Sequence, residues 1–280
     1  MRASKRLRPP RAQAHSPISR PLLFRTLGLV LFFSLGLPTC SAVAGPIRSA
    51  RGEAYGNDGR LLFTQTHYWY ADDAGEPRGF TLYSCPDGHA FARRASDYGT
   101  HPDTPDFALE IAPTGYREGV RGEGAQRIVY VQRRSDRPEQ DAPLPGAEHP
   151  VIDDGFNAYA AAHWDALMSG QNVPIQYLVP SRHRFYHFRI VKADDANPDE
   201  LRLRMQFDFW FGRFLPHVYV VYDTASRHLI RYEGISNIRD GNGDNVHVRI
   251  ESPVSERRDD VPRAQLDAAL ATPLDGRCAL

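Results

Sequence analysis

The chain has 280 residues, with 34 basic and 34 acidic side chains, and 41% of its residues are hydrophobic. This balance depends on the first 44 residues, which hold seven basic side chains and no acidic one, so residues 45–280 carry a net charge near −7. Such a charge excludes nucleic acid as an expected partner, because phosphate binding relies on clustered Lys and Arg. The remaining length suits one domain with a sizeable core.

The N-terminal segment has the pattern of an export signal. Basic residues precede an apolar run at Leu27–Leu37, and small residues follow at Ala42–Ala44. The run is shorter than the ~20 residues that span a membrane. The pattern therefore predicts a signal peptide over residues 1–44, cleaved before Gly45, and a periplasmic protein. Two alternatives stay open, an uncleaved anchor and lipidation of Cys40.

Most of residues 45–252 alternates between apolar and polar positions, which is the period of a half-buried antiparallel strand. The clearest run is Leu201–Phe209, and similar runs cover 173–179, 186–190 and 246–250. Turn-forming segments separate such runs, at Asn57–Gly59, Asp73–Gly75, Pro86–Gly88, 194–198 and Asp240–Gly243. Short spacing between strands predicts an antiparallel meander of about 10–12 strands.

One helix is predicted to interrupt the strands. Asp153 or Asp154 can cap its start and Gly170 can end it. Its residues are apolar nearly all round, which predicts a buried helix lying across the sheet. Before it, residues 134–148 have the composition of a long surface loop.

The C-terminal segment, residues 253–280, is charged and predicts a loosely ordered tail with a short helix between Pro262 and Leu270. Two cysteines remain after cleavage of the signal, Cys85 and Cys278. An oxidising compartment would permit a single bridge between them, and the pattern leaves open whether it forms.

The order of strands, buried helix and further strands predicts an α+β fold, in which a strongly curved antiparallel sheet forms an open half-barrel over one helix. In this layout, and in the run from Val220–Asp223 through Leu229–Ile235, the chain resembles periplasmic lipoprotein carriers, outer-membrane lipoprotein receptors and related exported proteins. The resemblance covers roughly residues 47–250. It implies binding of lipid-linked ligands, but no ligand-contacting residue of those families matches a position here.

Catalytic, cofactor and metal motifs are weak. Residues 240–251 resemble a calcium loop, but Asn245 replaces the usual glycine and a strand pattern follows, so a hairpin turn is the favoured interpretation. His183 and His187 are about 13 Å apart along a strand, too far to share one metal. No Gly-x-Ser-x-Gly motif occurs. The sequence therefore predicts no catalytic residue, no metal and no cofactor, although a metal-dependent hydrolase stays as a third alternative.

The aromatic residues around the helix give the main functional hypothesis. If they line a cavity between helix and sheet, flat rings and a flexible methionine could hold an acyl chain; the candidate lining is Trp164, Tyr177, Met205, Phe207 and Phe209. The alternative is an ordinary filled core. We therefore expect a non-catalytic periplasmic binding protein for an apolar or lipid-like ligand, or else an envelope protein whose sheet surface meets a protein partner.

Overall fold

The computed structural model describes residues 45–193, 197–210 and 217–280. The predicted signal peptide, Cys40 and part of the predicted turn at 194–198 lie outside these residues. Among the described residues, no helix is long and apolar enough to cross a membrane.

The described chain is mostly β, with one large sheet of sixteen strands and three α-helices. The strands are β1 Arg48–Tyr55, β2 Leu61–Ala71, β3 Pro77–Ser84, β4 Ala90–Asp97, β5 Asp106–Ile111, β6 Tyr116–Arg121, β7 Ile128–Gln132, β8 Gln140–Pro143, β9 Pro150–Val151, β10 Val173–Val179, β11 Arg184–Lys192, β12 Glu200–Phe207, β13 Val218–Asp223, β14 Leu229–Arg239, β15 Asn245–Glu251 and β16 Arg257–Arg258. The helices are α1 Gly155–Ala162, α2 Trp164–Met168 and α3 Arg263–Leu270.

The sheet consists of two consecutive meanders. Strands β1 to β8 follow one another in chain order, as do β9 to β15, and the meanders join where β1 pairs with β15. All neighbours are antiparallel except β9 and β10. This order confirms the predicted meander. Neighbouring strands pair in sequence order because short turns connect runs whose apolar positions alternate.

The strand count and the shape differ from the prediction. Sixteen described strands replace the expected 10–12. Three of them, β8, β9 and β16, have only four, two and two residues and account for part of the difference. The sheet is neither closed nor strongly curled, so the half-barrel prediction was too specific. Its edge strands β8 and β9 contain Pro143 and Pro150, which have no N–H group to extend the ladder.

The predicted helix exists but is broken. α1 and α2 are separated at His163, and Gly170 follows α2 with a positive φ of 79°. One side packs on the inner faces of β10 to β13, where Tyr159, Trp164 and Leu167 are buried. Asn157 and Ala161 are exposed, so the helix is not buried all round as predicted. Small alanine side chains tolerate either environment, which explains why composition overstated burial.

The C-terminal segment is packed instead of loose. β16 pairs with β1, and Leu266 of the predicted short helix α3 is fully buried against Tyr68 and Phe80 on the outer face of the sheet. A disulfide joins Cys85 to Cys278, with 5.1 Å between their Cα atoms. The charge of this segment hid a few well-spaced apolar residues that hold it to the sheet.

Candidate functional site

Polar side chains occupy the inner face of the first meander at one level of the sheet. His67 on β2, Thr81 on β3 and Arg94 on β4 are direct cross-strand neighbours. Ser96 lies on the same face of β4, two residues after Arg94. Glu118 on β6 is level with Arg94, because Leu109 of β5 pairs with both residues. Buried polar groups need partners inside the protein. These side chains are therefore the main candidates for a functional site.

Two carboxylates enter this region from the turn that precedes α1. Asp153 has a φ of 46°, which is uncommon for a residue other than glycine, and Asp154 stands at the helix N-cap position. The side chains are only 10% and 7% exposed. The turn is held by a hydrogen bond from the backbone N–H of Ile152 to the carbonyl of Asp103. Its strained backbone directs both carboxylates toward β4.

Arg94 pairs with both carboxylates. Its Nη1 lies 3.0 Å from Oδ2 of Asp153, and its Nη2 lies 3.1 Å from Oδ2 of Asp154. Tyr98 donates a 2.7 Å hydrogen bond to Asp154, while Asn237 of the second meander donates to Asp153. We call Arg94, Asp153, Asp154, Tyr98 and Asn237 the central ion network. It connects three parts of the fold: β4, the start of α1 and β14.

His67 borders the network as a neutral side chain. Its Nδ1 lies 2.7 Å from the Thr81 hydroxyl oxygen and 3.3 Å from Nη2 of Arg94. Burial, reinforced by the Arg94 charge, lowers the pKa of His67 to about 3. Its Nε2 is buried and has no hydrogen-bond partner among the described residues.

Two buried carboxyl groups hold protons more tightly than usual. Burial raises the pKa of Asp153 to about 6, although the Arg94 charge opposes the shift. Burial likewise raises the pKa of Glu118 to about 7, against the hydrogen bond that Tyr116 donates to it at 2.5 Å. Raised carboxyl pKa values occur in catalytic sites and in structural networks alike.

Among the described residues, Thr81 and His67 lack the third group of a catalytic triad. The distance between Thr81 and His67 is that of a nucleophile and its base, but no carboxylate orients the imidazole, because Nε2 lacks a partner among the described residues. Neither of the two cavities described below is lined by His67, Thr81 or Arg94. The central ion network therefore ties the helix to the sheet, and of its members Tyr98 also lines the second of these cavities.

The five predicted ligand-binding residues are divided between two environments. Trp164, Tyr177 and Met205 belong to one apolar cluster under α1 and α2. Trp164 is 6% exposed, and its ring meets Tyr222 edge to face, with 5.7 Å between centroids. Neither described cavity is lined by any of the five residues. Their role in binding an apolar ligand stays a prediction.

Phe207 and Phe209 lie outside that cluster, at the end of β12. Phe188 of β11 stacks on Phe207 at 4.5 Å, and Phe207 is 5.5 Å from Phe209. Phe209 is 37% exposed, and the adjoining Trp210 is 87% exposed. We call these four residues the aromatic end. β12 ends at Phe207, two residues earlier than predicted.

The weaker metal candidates have ordinary structural roles. The carboxylate of Asp240 accepts hydrogen bonds from the backbone N–H groups of Asn242 and Asp244, as expected for the hairpin turn between β14 and β15. His183 contacts the carbonyl of Gln140, and His187 contacts the side chain of Gln176. Within the described ranges, no group of three or more His, Cys, Asp or Glu side chains could hold a metal ion.

Two cavities open at other places. The first, of about 240 Å³, is lined by Phe91, Ile111, Pro113, Thr114, Arg134, Ser135, Arg239, Asp240, Gly241, Arg277, Cys278 and Leu280. The second, of about 400 Å³, is a more open groove whose lining includes Trp69, Tyr70 and Tyr98. Sequence periodicity predicted neither; the first is built largely from turns and the C-terminal segment, and the second from the ends of β1, β2 and β3 together with neighbouring turns.

Comparison with known proteins gives one structural likeness to report. No protein-family profile and no curated protein matches the sequence. A crystal structure of a β-barrel-like protein of a domain of unknown function from Brucella abortus has 8% sequence identity and a TM-score of 0.45, covering 78% of this chain and 99% of that one. The likeness is to a barrel-like protein and does not extend specifically to lipoprotein carriers. At this level it carries no inference about ligand or activity.

Proposed function

We propose that this protein is an exported, non-catalytic binding protein that takes an apolar or lipid-like ligand at the aromatic end. The observation that carries the proposal is the series of neighbouring rings Phe188, Phe207 and Phe209, of which the first two are stacked, next to the 87% exposed Trp210. Aromatic surface in contact with water is costly, and a cluster of such rings marks interaction sites.

The surroundings of the aromatic end suit a ligand with an acyl chain. Phe188 and Phe207 are directly paired across β11 and β12, so their rings form one continuous apolar surface. On the opposite face of the same strands, Arg189 forms an ion pair with Asp208 at 3.4 Å. An acyl chain lying on the rings would remove them from water, and each buried methylene contributes about 0.8 kcal/mol. The resemblance to lipoprotein carriers supports the same ligand class.

Export to the periplasm is part of the proposal. It is supported by the apolar run at Leu27–Leu37 with small residues at Ala42–Ala44, and by the Cys85–Cys278 disulfide, which fits an oxidising compartment. Mass spectrometry of protein recovered from the producing cell tests it. We expect Gly45 as the first residue. An acylated Cys40 would instead indicate a membrane-anchored lipoprotein.

Ligand binding is tested by titration with saturated fatty acids of increasing chain length. We expect saturable binding that tightens up to about fourfold per methylene. Phe209→Ser should weaken it at least tenfold, because the ring lies at the surface of the aromatic end. The matched control is Met168→Ser, since Met168 on α2 is also 37% exposed but lies outside the aromatic end. Binding that is absent, or equal in both variants, would contradict the proposal.

A second candidate is a protein partner on the sheet surface. Ile235 of β14 favours it, because this large apolar side chain is 51% exposed. It lies on the outer face of the sheet, since the preceding Gly234 pairs with Val248, whose side chain is buried on the other face. Loss of complex formation in Ile235→Ser but not in Phe209→Ser, together with no fatty-acid binding, would support this second function over the first.

A further inference from the structure

The lining of the cavity of about 240 Å³ holds more basic than acidic side chains. Three arginines, Arg134, Arg239 and Arg277, face one aspartate, Asp240, around an apolar floor of Phe91 and Ile111. The Asp240 carboxylate is occupied by the backbone N–H groups of its own turn. Arg134 forms an ion pair with Asp136 at 3.4 Å, so the excess of positive charge at the cavity comes from Arg239 and Arg277.

Arg239 is held in place from two sides. Its Nη1 donates a 2.8 Å hydrogen bond to the carbonyl of Gly243, and its guanidinium lies 4.3 Å from the centre of the Tyr116 ring. Its Nε is buried and has no hydrogen-bond partner among the described residues. An arginine fixed in this way loses little conformational freedom when an anion binds.

Arg277 is placed by its neighbours in the chain. The N–H of Gly276 donates a 2.7 Å hydrogen bond to the carbonyl of Ala90, and Cys278 is bonded to Cys85. A side chain at position 276 would collide with the carbonyl of His89, so the backbone approaches closely there. Arg277 itself is exposed and has no ion pair or hydrogen bond with another described residue. The backbone that carries this cation is thus fixed at the rim of the cavity.

We propose that this cavity binds a phosphate group carried by a small ligand. Guanidinium groups match phosphate oxygens in geometry as well as in charge, and the hydroxyl of Ser135 in the lining can add a neutral hydrogen bond. The volume suits a phosphate with a short organic substituent and is below that of typical sites for larger ligands. The site is separate from the aromatic end and does not depend on the function proposed for it.

The experiment is calorimetric titration of the full mature chain at low ionic strength, with inorganic phosphate and with soluble short-chain phosphatidic acid. We expect saturable binding of at least one probe. Arg277→Gln should weaken it at least tenfold, and Arg134→Gln should also weaken it. The matched control is Arg182→Gln, because Arg182 is exposed and lies outside the cavity lining. Reduction of the disulfide should weaken binding too, since it releases Arg277.

The two probes distinguish the source of the phosphate. Equal binding of both supports a free phosphate compound as ligand, whereas binding of phosphatidic acid alone supports a lipid headgroup. Phe209→Ser should leave the binding of inorganic phosphate, and the effect of Arg277→Gln on either probe, unchanged, so failure at the aromatic end and failure at the cavity are separable. Saturable binding of neither probe, or binding equally strong in Arg277→Gln and wild type, would overturn the proposal.

Discussion

Arg94 and Asp154 are 60 residues apart in the chain, yet the Nη2 atom of the arginine lies 3.1 Å from Oδ2 of the aspartate, and both side chains are nearly buried. The contact links the middle of β4 to the start of α1. Because the same guanidinium also reaches Asp153, it neutralises two carboxylates at one place. Arg94 is thus the one cation of the central ion network that compensates both carboxylates at the start of the helix.

Replacing Arg94 should therefore be severe. Arg94→Met leaves two buried carboxylates without their cation, and we expect the free energy of unfolding to fall by about 3–5 kcal/mol. Urea unfolding measures this loss. The matched control is Arg93→Met, because the adjacent Arg93 is 41% exposed and pairs with Glu110 at the surface, where such a pair contributes about 1 kcal/mol or less. Equal losses in both variants would show that the central ion network does not hold the helix.

Glu118 should make stability depend on pH. Burial raises its pKa in the fold from the ordinary 4.5 to about 7, so between these values the folded protein binds more protons than the unfolded chain. The free energy of unfolding should then decrease as pH rises from about 4.5 to about 7, by on the order of 3 kcal/mol from this group. His67, with its pKa lowered to about 3, acts in the opposite sense below pH 6.5.

The difference between wild type and Glu118→Gln isolates this contribution. The glutamine stays neutral, so we expect the variant to gain stability relative to wild type as pH rises from 5 to 8, measured by urea unfolding at each pH. Glu110→Gln is the control, because ion pairs with Arg93 and Arg117 lower the pKa of Glu110, and its contribution is lost only in acid. A constant difference between wild type and Glu118→Gln across this range would contradict the prediction.

Trp164 should behave as a core residue. Its ring meets Tyr222 edge to face, and the guanidinium of Arg227 lies 5.1 Å from the ring centre. Trp164→Ala should destabilise the fold by about 3–5 kcal/mol. Met168→Ala, on the same helical segment but 37% exposed, should cost about 1 kcal/mol or less. Thermal or urea unfolding distinguishes the two. A loss below about 1 kcal/mol for Trp164→Ala would place its ring beside open space.

The disulfide should contribute to stability through the length of chain it encloses. Cys85 and Cys278 are 193 residues apart, and a cross-link over such a span restricts the unfolded chain strongly. We expect reduction, or the Cys85→Ser/Cys278→Ser double variant, to lower the free energy of unfolding by about 2–5 kcal/mol. Urea unfolding with and without reductant provides the measurement, and the double variant should not respond to reductant. An equal midpoint for the oxidised and reduced wild type would rule out this role.

Local patterns predicted the meander and the position of the helix, because alternation and turn residues act over short distances. They did not identify the central ion network, although one signal was present. Arg93 and Arg94 are adjacent in a strand, and since successive side chains point to opposite faces, one of them has to face inward. Its partner could not be found in the same way, because Asp154 comes from a turn far along the chain.

The ligand-site prediction shows a related limit. Alternation and helical spacing brought Trp164, Tyr177 and Met205 into one cluster, as the structure does. Periodicity specifies the face on which a side chain lies, but it contains nothing about the space left beside that side chain. The cavity with Arg239 and Arg277 could not be predicted from periodicity for a further reason. Its walls come from turns and from a C-terminal segment whose position depends on a disulfide.

Because β1 pairs with β15, the sheet cannot be completed until nearly the whole chain is present. β1 is among the first strands to be made, but its second neighbour comes from residues 245–251, and β16 adds a further pair at residues 257–258. Contacts between segments so far apart form slowly. Until they form, β1 has one open edge in the middle of the future sheet, where another chain could pair with it. A chain truncated before residue 245 would keep that edge open permanently, and it would form an aggregation-prone fragment, not a smaller version of the domain.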